Sequence, residues 1–137
     1  MGRAYRPFYS PDGTQFALMQ YGTESDPTGD LTLVNADGTD RRLVLRFPAG
    51  PTTPSSDSQI AWLPDGSGLC FAAEDDARRS LFIIPAAGGT PALLARGGWL
   101  TDHTPVEDGS VWCLHQSLSE PADVALVSAE GVKRITA

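Results

Sequence analysis

The chain holds few residues able to do covalent or metal chemistry. His103 and His115 are its histidines, and Cys70 and Cys113 its cysteines. A serine hydrolase needs a Gly-x-Ser-x-Gly elbow followed by an acid and a histidine. The nearest approach, Gly66-Ser67-Gly68, has the wrong spacing and falls at a turn entering an apolar stretch. Two cysteines with no partnering histidine or third cysteine do not make a zinc site. Asn35-x-Asp37-Gly38-x-Asp40 departs from the calcium-loop spacing, and no glutamate closes it, so it reads as a hairpin turn. No catalytic residue, metal site or cofactor is therefore expected, and the chain is not expected to be an enzyme.

Charge narrows the partners. Ten Lys and Arg against seventeen Asp and Glu give a net charge of −7 over 137 residues. Nucleic acid and acidic membrane surfaces are not expected partners, because both need a basic footprint. No apolar run approaches the roughly 18 residues of a membrane helix. Met1 to Ser10 lacks the apolar core of a secretory signal, so a cytoplasmic location is expected. At 41% hydrophobic and 20% charged residues, the composition suits one globular domain or part of a larger one.

The elements that must position any site are short. Fourteen Gly and eleven Pro, about 18% of the chain, exceed the usual 12% or so and are spread along it. No stretch of 10 to 15 residues keeps a helical period. The longest candidate, Ala86 to Arg96, is broken by Gly88, Gly89 and Pro91. The fold class is all-β.

A repeat organises the strands. Pro11-Asp12-Gly13, Pro64-Asp65-Gly66 and Glu107-Asp108-Gly109 each precede an apolar stretch, a variable loop, a second apolar stretch and a second glycine turn. The second turns are Asn35-Ala36-Asp37-Gly38, Ala86-Ala87-Gly88-Gly89 and Ala129-Glu130-Gly131; Gly66 to Gly109 and Gly88 to Gly131 are both 43 residues. Past the first glycine stand Phe16-Ala17-Leu18, Leu69-Cys70-Phe71 and Trp112-Cys113-Leu114, with a small residue in the middle each time. Before the second stand Leu31-Thr32-Leu33-Val34, Leu81-Phe82-Ile83-Ile84 and Val124-Ala125-Leu126-Val127. Such nearly continuous apolar runs suit strands covered on both faces. Each unit reads as four antiparallel strands, A to D, and units of about 43 residues are the signature of β-propeller blades. The expected blades are 5–47, 58–96 and 99–137, an incomplete propeller in one chain.

Ser10-Pro11-Asp12-Gly13-Thr14 and Trp62-Leu63-Pro64-Asp65-Gly66 resemble the W-S-P-D-G repeat of TolB-like propellers, which also builds the propeller domain of prolyl-oligopeptidase-type serine peptidases, including acylaminoacyl peptidases. The stretch from Ser119-Glu120-Pro121 to Lys133-Arg134-Ile135-Thr136 is similar to the last blade before the peptidase domain in those enzymes. The third unit departs from the pattern, with Glu107 in place of proline. The resemblance implies a propeller whose parent carries its catalytic triad, if any, in a separate hydrolase domain.

Strand order also assigns the faces. In an A-up, B-down, C-up, D-down unit, the A–B and C–D turns share one face, and the B–C loops and D–A connections share the other. Length varies in the latter set, at 22–29 and 48–57, and variable loops on a rigid scaffold commonly carry binding sites. The candidate binding residues there are Glu24, Asp26, Glu74, Asp75, Arg78, Arg79, Asp102 and His103, with His103 expected in a loop beside Asp102. His115 aligns with Met19 and Ala72, which places it in a core or between blades. Cys70 and Cys113, at equivalent repeat positions, are expected a blade spacing apart, beyond the roughly 7 Å a disulfide allows, and hence to be buried free thiols.

Three functions follow as expectations: a non-catalytic propeller module that binds protein or peptide or gates a substrate, within a longer TolB-like or oligopeptidase-like protein; a stand-alone or engineered blade scaffold that closes into a propeller with no ligand; and the propeller portion of a serine peptidase. Propellers close with four to eight blades and three are present. The expected partner is thus a second copy in a ring-closing homodimer, or else a peptidase domain, with a peptide or protein as possible ligand.

Overall fold

The computed structural model describes residues 3–4, 7–23, 26–47 and 60–136. Among them are strands and turns and no helix. The strands are β1 (Arg3–Ala4), β2 (Phe8–Tyr9), β3 (Gln15–Thr23), β4 (Asp26–Asn35), β5 (Arg42–Phe47), β6 (Ile60–Trp62), β7 (Gly68–Asp75), β8 (Arg78–Pro85), β9 (Ala92–Ala95), β10 (Trp99–Pro105), β11 (Val111–Gln116), β12 (Asp123–Ser128) and β13 (Gly131–Arg134). They form three antiparallel four-stranded meanders: β2 to β5, β6 to β9 and β10 to β13. β1 adds to the first by pairing with β3. The second and third share a single parallel bridge, Trp99 to Arg79.

The A–B hairpins close by one device. Asp12 accepts hydrogen bonds from the Ser10 hydroxyl (2.6 Å), the Thr14 amide (3.0 Å) and the Thr14 hydroxyl (2.8 Å). Asp65 takes the amide and hydroxyl of Ser67, and Asp108 those of Ser110. Asp37 does the same with Thr39 in a C–D turn. These donors favour the ionised carboxylate, and hold Asp12 down at about 2. Gly13, Gly38, Gly66 and Gly109 follow with φ between +72° and +87°, backbone that a β-branched residue would strain.

The third hairpin is one residue shorter than the other two. Ser10 N–H reaches Gln15 O and Leu63 N–H reaches Gly68 O, whereas Val106 N–H already finds its partner at Ser110 O. Because side chains alternate along a strand, a one-residue slip turns the whole strand over. Ala17 and Cys70 face the following unit, but Cys113 faces the preceding one, and Trp112 takes the outward place. The equivalence of Cys113 with Cys70 expected from the repeat is thereby corrected. The two cysteines belong to facing sheets and share one core cluster. Both are buried free thiols as expected, for a reason other than repeat spacing. Burial pushes Cys70 up to about 12, with Cys113 nearby adding to it, and Cys113 up to about 11.

Two apolar joints lie between the units. In the first, Ala17, Met19, Leu31, Leu33, Val44 and Phe47 pack on Ile60, Leu69, Phe71, Ala73 and Ile84. In the second, Cys70, Ala72, Leu81 and Ala95 pack on Leu100, Val111, Cys113, Ala125 and Val127. Strand C is thus covered on both faces wherever a unit lies on either side of it, as its apolar run requires.

Candidate binding site

The B–C loops and the D–A connection of the second and third units meet in one groove. Its first wall is the β7–β8 hairpin, where Asp76 and Ala77 stand at φ 49° and 58° between the paired Asp75 and Arg78. Two consecutive residues with positive φ make the tight turn whose twist matches a hairpin. Alanine has no side chain to favour that conformation, so Ala77 is strained. The floor is Gly98-Trp99. Gly98 has φ 62°, and a Cβ there would lie 2.4 Å from Gln116 O, so only glycine allows the connection to press this close to β11. Gly98 O accepts Arg79 N–H at 3.2 Å, and the Arg79 guanidinium lies over the Trp99 ring, 5.8 Å from its centre.

The far wall is the β11–β12 loop. Ser117 N–H donates to Glu120 O (3.1 Å) and Glu120 N–H to Ser117 O (3.4 Å), which closes a tight turn that leaves Leu118 fully exposed at its tip. Arg134 anchors this loop to the sheet through Glu120 (2.7 Å) and Asp123 (3.0 Å). The groove, of about 600 Å³, is lined by Ala77, Arg78, Gly98, Trp99, Gln116, Ser117, Leu118 and Ser119. It combines an apolar patch, one exposed guanidinium and two serine hydroxyls, a set suited to an extended chain with an apolar side chain and a negative group. It offers no nucleophile paired with a base. Among the described residues no three His, Cys, Asp or Glu side chains gather as metal ligands.

The residues expected to bind are divided by the structure. Arg78 lines the groove, and Glu74 is exposed on the same hairpin. Asp75 ends β7 and Asp26 begins β4, placed here by backbone alone, while Glu24 lies outside the described residues. Arg79 is 7% exposed and stacks on the Trp99 ring. His103 is corrected from loop to strand: it lies in β10, 3% exposed, with Nε2 3.1 Å from Cys70 O. A bulge between Thr101 and Thr104, with Asp102 at φ 50° and exposed, turns His103 into the second joint. His115 is half-buried on β11, paired beside Leu100 of β10. Trp99, Leu118 and the serines were missed; the Gly97-Gly98 pair before Trp99 was the available signal, since paired glycines mark close backbone approach.

No family model matches the chain, and no curated protein matches it by sequence. Solved structures do. The chain superposes on a putative TolB from Agrobacterium tumefaciens with TM-score 0.71 and 21% identity, covering 94% of this chain and 44% of that one. Puromycin hydrolase gives 0.69 and 22%, covering 93% and 21%, and the apo AtxE2 isopeptidase 0.70 and 14%, covering 95% and 28%. The chain is made of β-propeller blades. Its likeness to TolB and to these peptidases is one of fold, and the blades span less than half the length of each of these proteins. The groove lies between the second and third blades, on the face of the variable loops.

Proposed function

We propose that these blades form a non-catalytic module that binds peptide segments of other proteins in the groove between the β7–β8 hairpin and the β11–β12 loop. The observation that carries this reading is a fully exposed Leu118 facing Trp99 and Arg78 across an open apolar groove. Leu118 buries no surface against the described residues, and exposed apolar patches rimmed by polar groups mark interaction sites. Arg78 would take a carboxylate, from a chain end or an acidic side chain, and the serines a backbone amide or carbonyl. Binding should quench or shift the Trp99 fluorescence. An immobilised array of ten-residue peptides, probed with the native chain and with Leu118→Asp and Arg78→Glu, tests it. Selective capture of peptides pairing an apolar with an acidic residue, lost in both variants, supports the reading. Absent capture, or capture that both variants keep, overturns it.

A second reading is favoured by the fold likeness to puromycin hydrolase and an isopeptidase: the blades belong to a serine peptidase and gate its substrates. In that case a fluorophosphonate probe should label the parent polypeptide and leave these 137 residues unlabelled.

A further inference from the structure

Peptide binding makes no use of the repeated turns, yet these hold the chain's four Asp-Gly pairs: Asp12-Gly13, Asp37-Gly38, Asp65-Gly66 and Asp108-Gly109. Asp-Gly is the link at which aspartate isomerises most readily, because glycine has no side chain to shield its backbone nitrogen. That nitrogen attacks Cγ of the protonated aspartic acid and a C–N bond forms. One carboxyl oxygen leaves as water, taking the acid proton and the amide proton. The resulting five-membered succinimide takes up one water at its main-chain carbonyl and opens to isoaspartate. The composition is unchanged, but the backbone now runs through the side-chain carbon and is one atom longer.

In the fold both reacting groups are engaged at all four turns. Each glycine N–H donates to a carbonyl three residues back: Gly13 to Ser10 O (2.9 Å), Gly38 to Asn35 O (2.8 Å), Gly66 to Leu63 O (2.9 Å) and Gly109 to Val106 O (3.1 Å). Each carboxylate accepts the amide and hydroxyl of the residue beyond the glycine, Thr14, Thr39, Ser67 or Ser110. Asp favours such bonds in turns. They tie the carboxylate down, and they keep it ionised, the form that gives up no oxygen to an amide. The hydroxyl donors come first in this, Ser10 at Asp12 and Thr39, Ser67 and Ser110 at the others. All four acids lie below their ordinary 3.8, Asp12 at about 2. At roughly tenfold per unit, this cuts the reactive acid form of Asp12 at neutral pH by well over tenfold.

We propose that Asp12, Asp37, Asp65 and Asp108 are sites of covalent isomerisation that the folded turns close and unfolding opens. Each turn guards its own bond, because glycine nitrogen and carboxylate are both held within a few residues of it. The modification thus records time spent unfolded, blade by blade. It also bears on refolding: an added backbone atom lengthens a turn that sets strand register, and register places each side chain on its face.

The test keeps the chain at neutral pH for several weeks, once native and once unfolded in guanidinium. Both are then cut with an endoproteinase that cleaves before aspartate and not before isoaspartate, and the four sites are read by mass spectrometry. The unfolded chain should accumulate isoaspartate at all four sites. The native chain should do so more slowly at each, by at least about tenfold at Asp12. Ser67→Ala removes the hydroxyl donor to Asp65 at an exposed position, so in the native variant Asp65 should quicken while the other three sites keep their rates. Equal rates in native and unfolded chains overturn the proposal. So does an unchanged Asp65 in the variant. A rise at all four sites means general unfolding in place of a local guard, and overturns it as well. Because Ser67 lies on the face opposite the groove, peptide capture reports separately on the proposed function.

Discussion

The two joints between blades solve one packing problem in opposite ways. The first is filled by bulk: Phe47 stands edge-on to Phe71 (5.4 Å, 84°), and Phe71 stacks on Phe82 (5.7 Å, 15°). The second mixes the small Cys70, Ala72, Ala95, Cys113 and Ala125 with Leu81, Leu100, Val111 and Val127, and its cluster holds no aromatic ring. Polar ties cross both joints: Arg42 to Ala86 O and Trp62 Nε1–H to Phe8 O in the first, His103 to Cys70 O and Arg79 N–H to Gly98 O, with the Trp99–Arg79 bridge, in the second. Of the positive-φ non-glycine residues, Asp76, Ala77 and Asp102 belong to the second and third blades, and Asp40 to a turn of the first. Aromatic bulk fills the first joint, whereas the second, without aromatic rings in its cluster, borders the groove.

The sharpest way to break that comparison is to empty the first joint. Phe71 is buried at its centre and touches rings on both sides. Phe71→Ala removes the ring and leaves a cavity that two neighbouring aromatic rings cannot readily fill, which should cost about 3–5 kcal/mol. Denaturant unfolding of the native and variant chains measures it. A loss below about 1 kcal/mol would mean the first joint is not held by bulk.

The repeat arithmetic marks the turns and the apolar strands because glycine turns and period-2 burial are local and leave their mark in residue type. It misplaced what depends on a count of one. The loss of a residue after Gly109 is invisible when units are aligned on their glycines, yet it turns β11 over and moves Cys113 to the other face. His103 was hidden for a related reason: the bulge at Asp102 inserts residues into β10, which breaks the alternation that would have marked a strand. The groove was half legible. Arg78 follows from strand order, but Trp99 and Leu118 converge through the D–A connection, a tertiary contact no local pattern encodes.

The second joint makes a pH-dependent prediction of its own. Both thiols are held neutral, with Cys70 raised to about 12 and Cys113 to about 11 from an ordinary 9.0. Below pH 9.0 the folded and unfolded chains both keep these protons, and the contribution is fully present. As pH rises above that value the unfolded chain loses protons that the folded chain retains, so stability falls until the folded thiols themselves ionise. Denaturant midpoints at pH 7.5 and 10 should therefore drop further for the native chain than for Cys70→Ala/Cys113→Ala. Equal drops would show that the thiols do not face each other across a dry joint. A thiol reagent should likewise label both cysteines only after unfolding.

The smallest expected effect tests whether strain belongs to the site. Ala77 is held at φ 58° in the wall of the groove, where an L-residue with a Cβ is disfavoured by about 1–2 kcal/mol. Glycine adopts that backbone freely but loses more freedom on folding. Ala77→Gly should then stabilise the chain by about 0.5–1 kcal/mol, read as a higher melting temperature. The hairpin would keep its turn, yet Arg78 and Leu118 would face each other across a wall no longer held in one geometry. Peptide capture should weaken as stability rises, because the ordering now done by strain would fall to binding. Raised stability with undiminished capture would make the strain incidental, and the contrast between an aromatic first joint and a second that borders the groove would rest on packing alone.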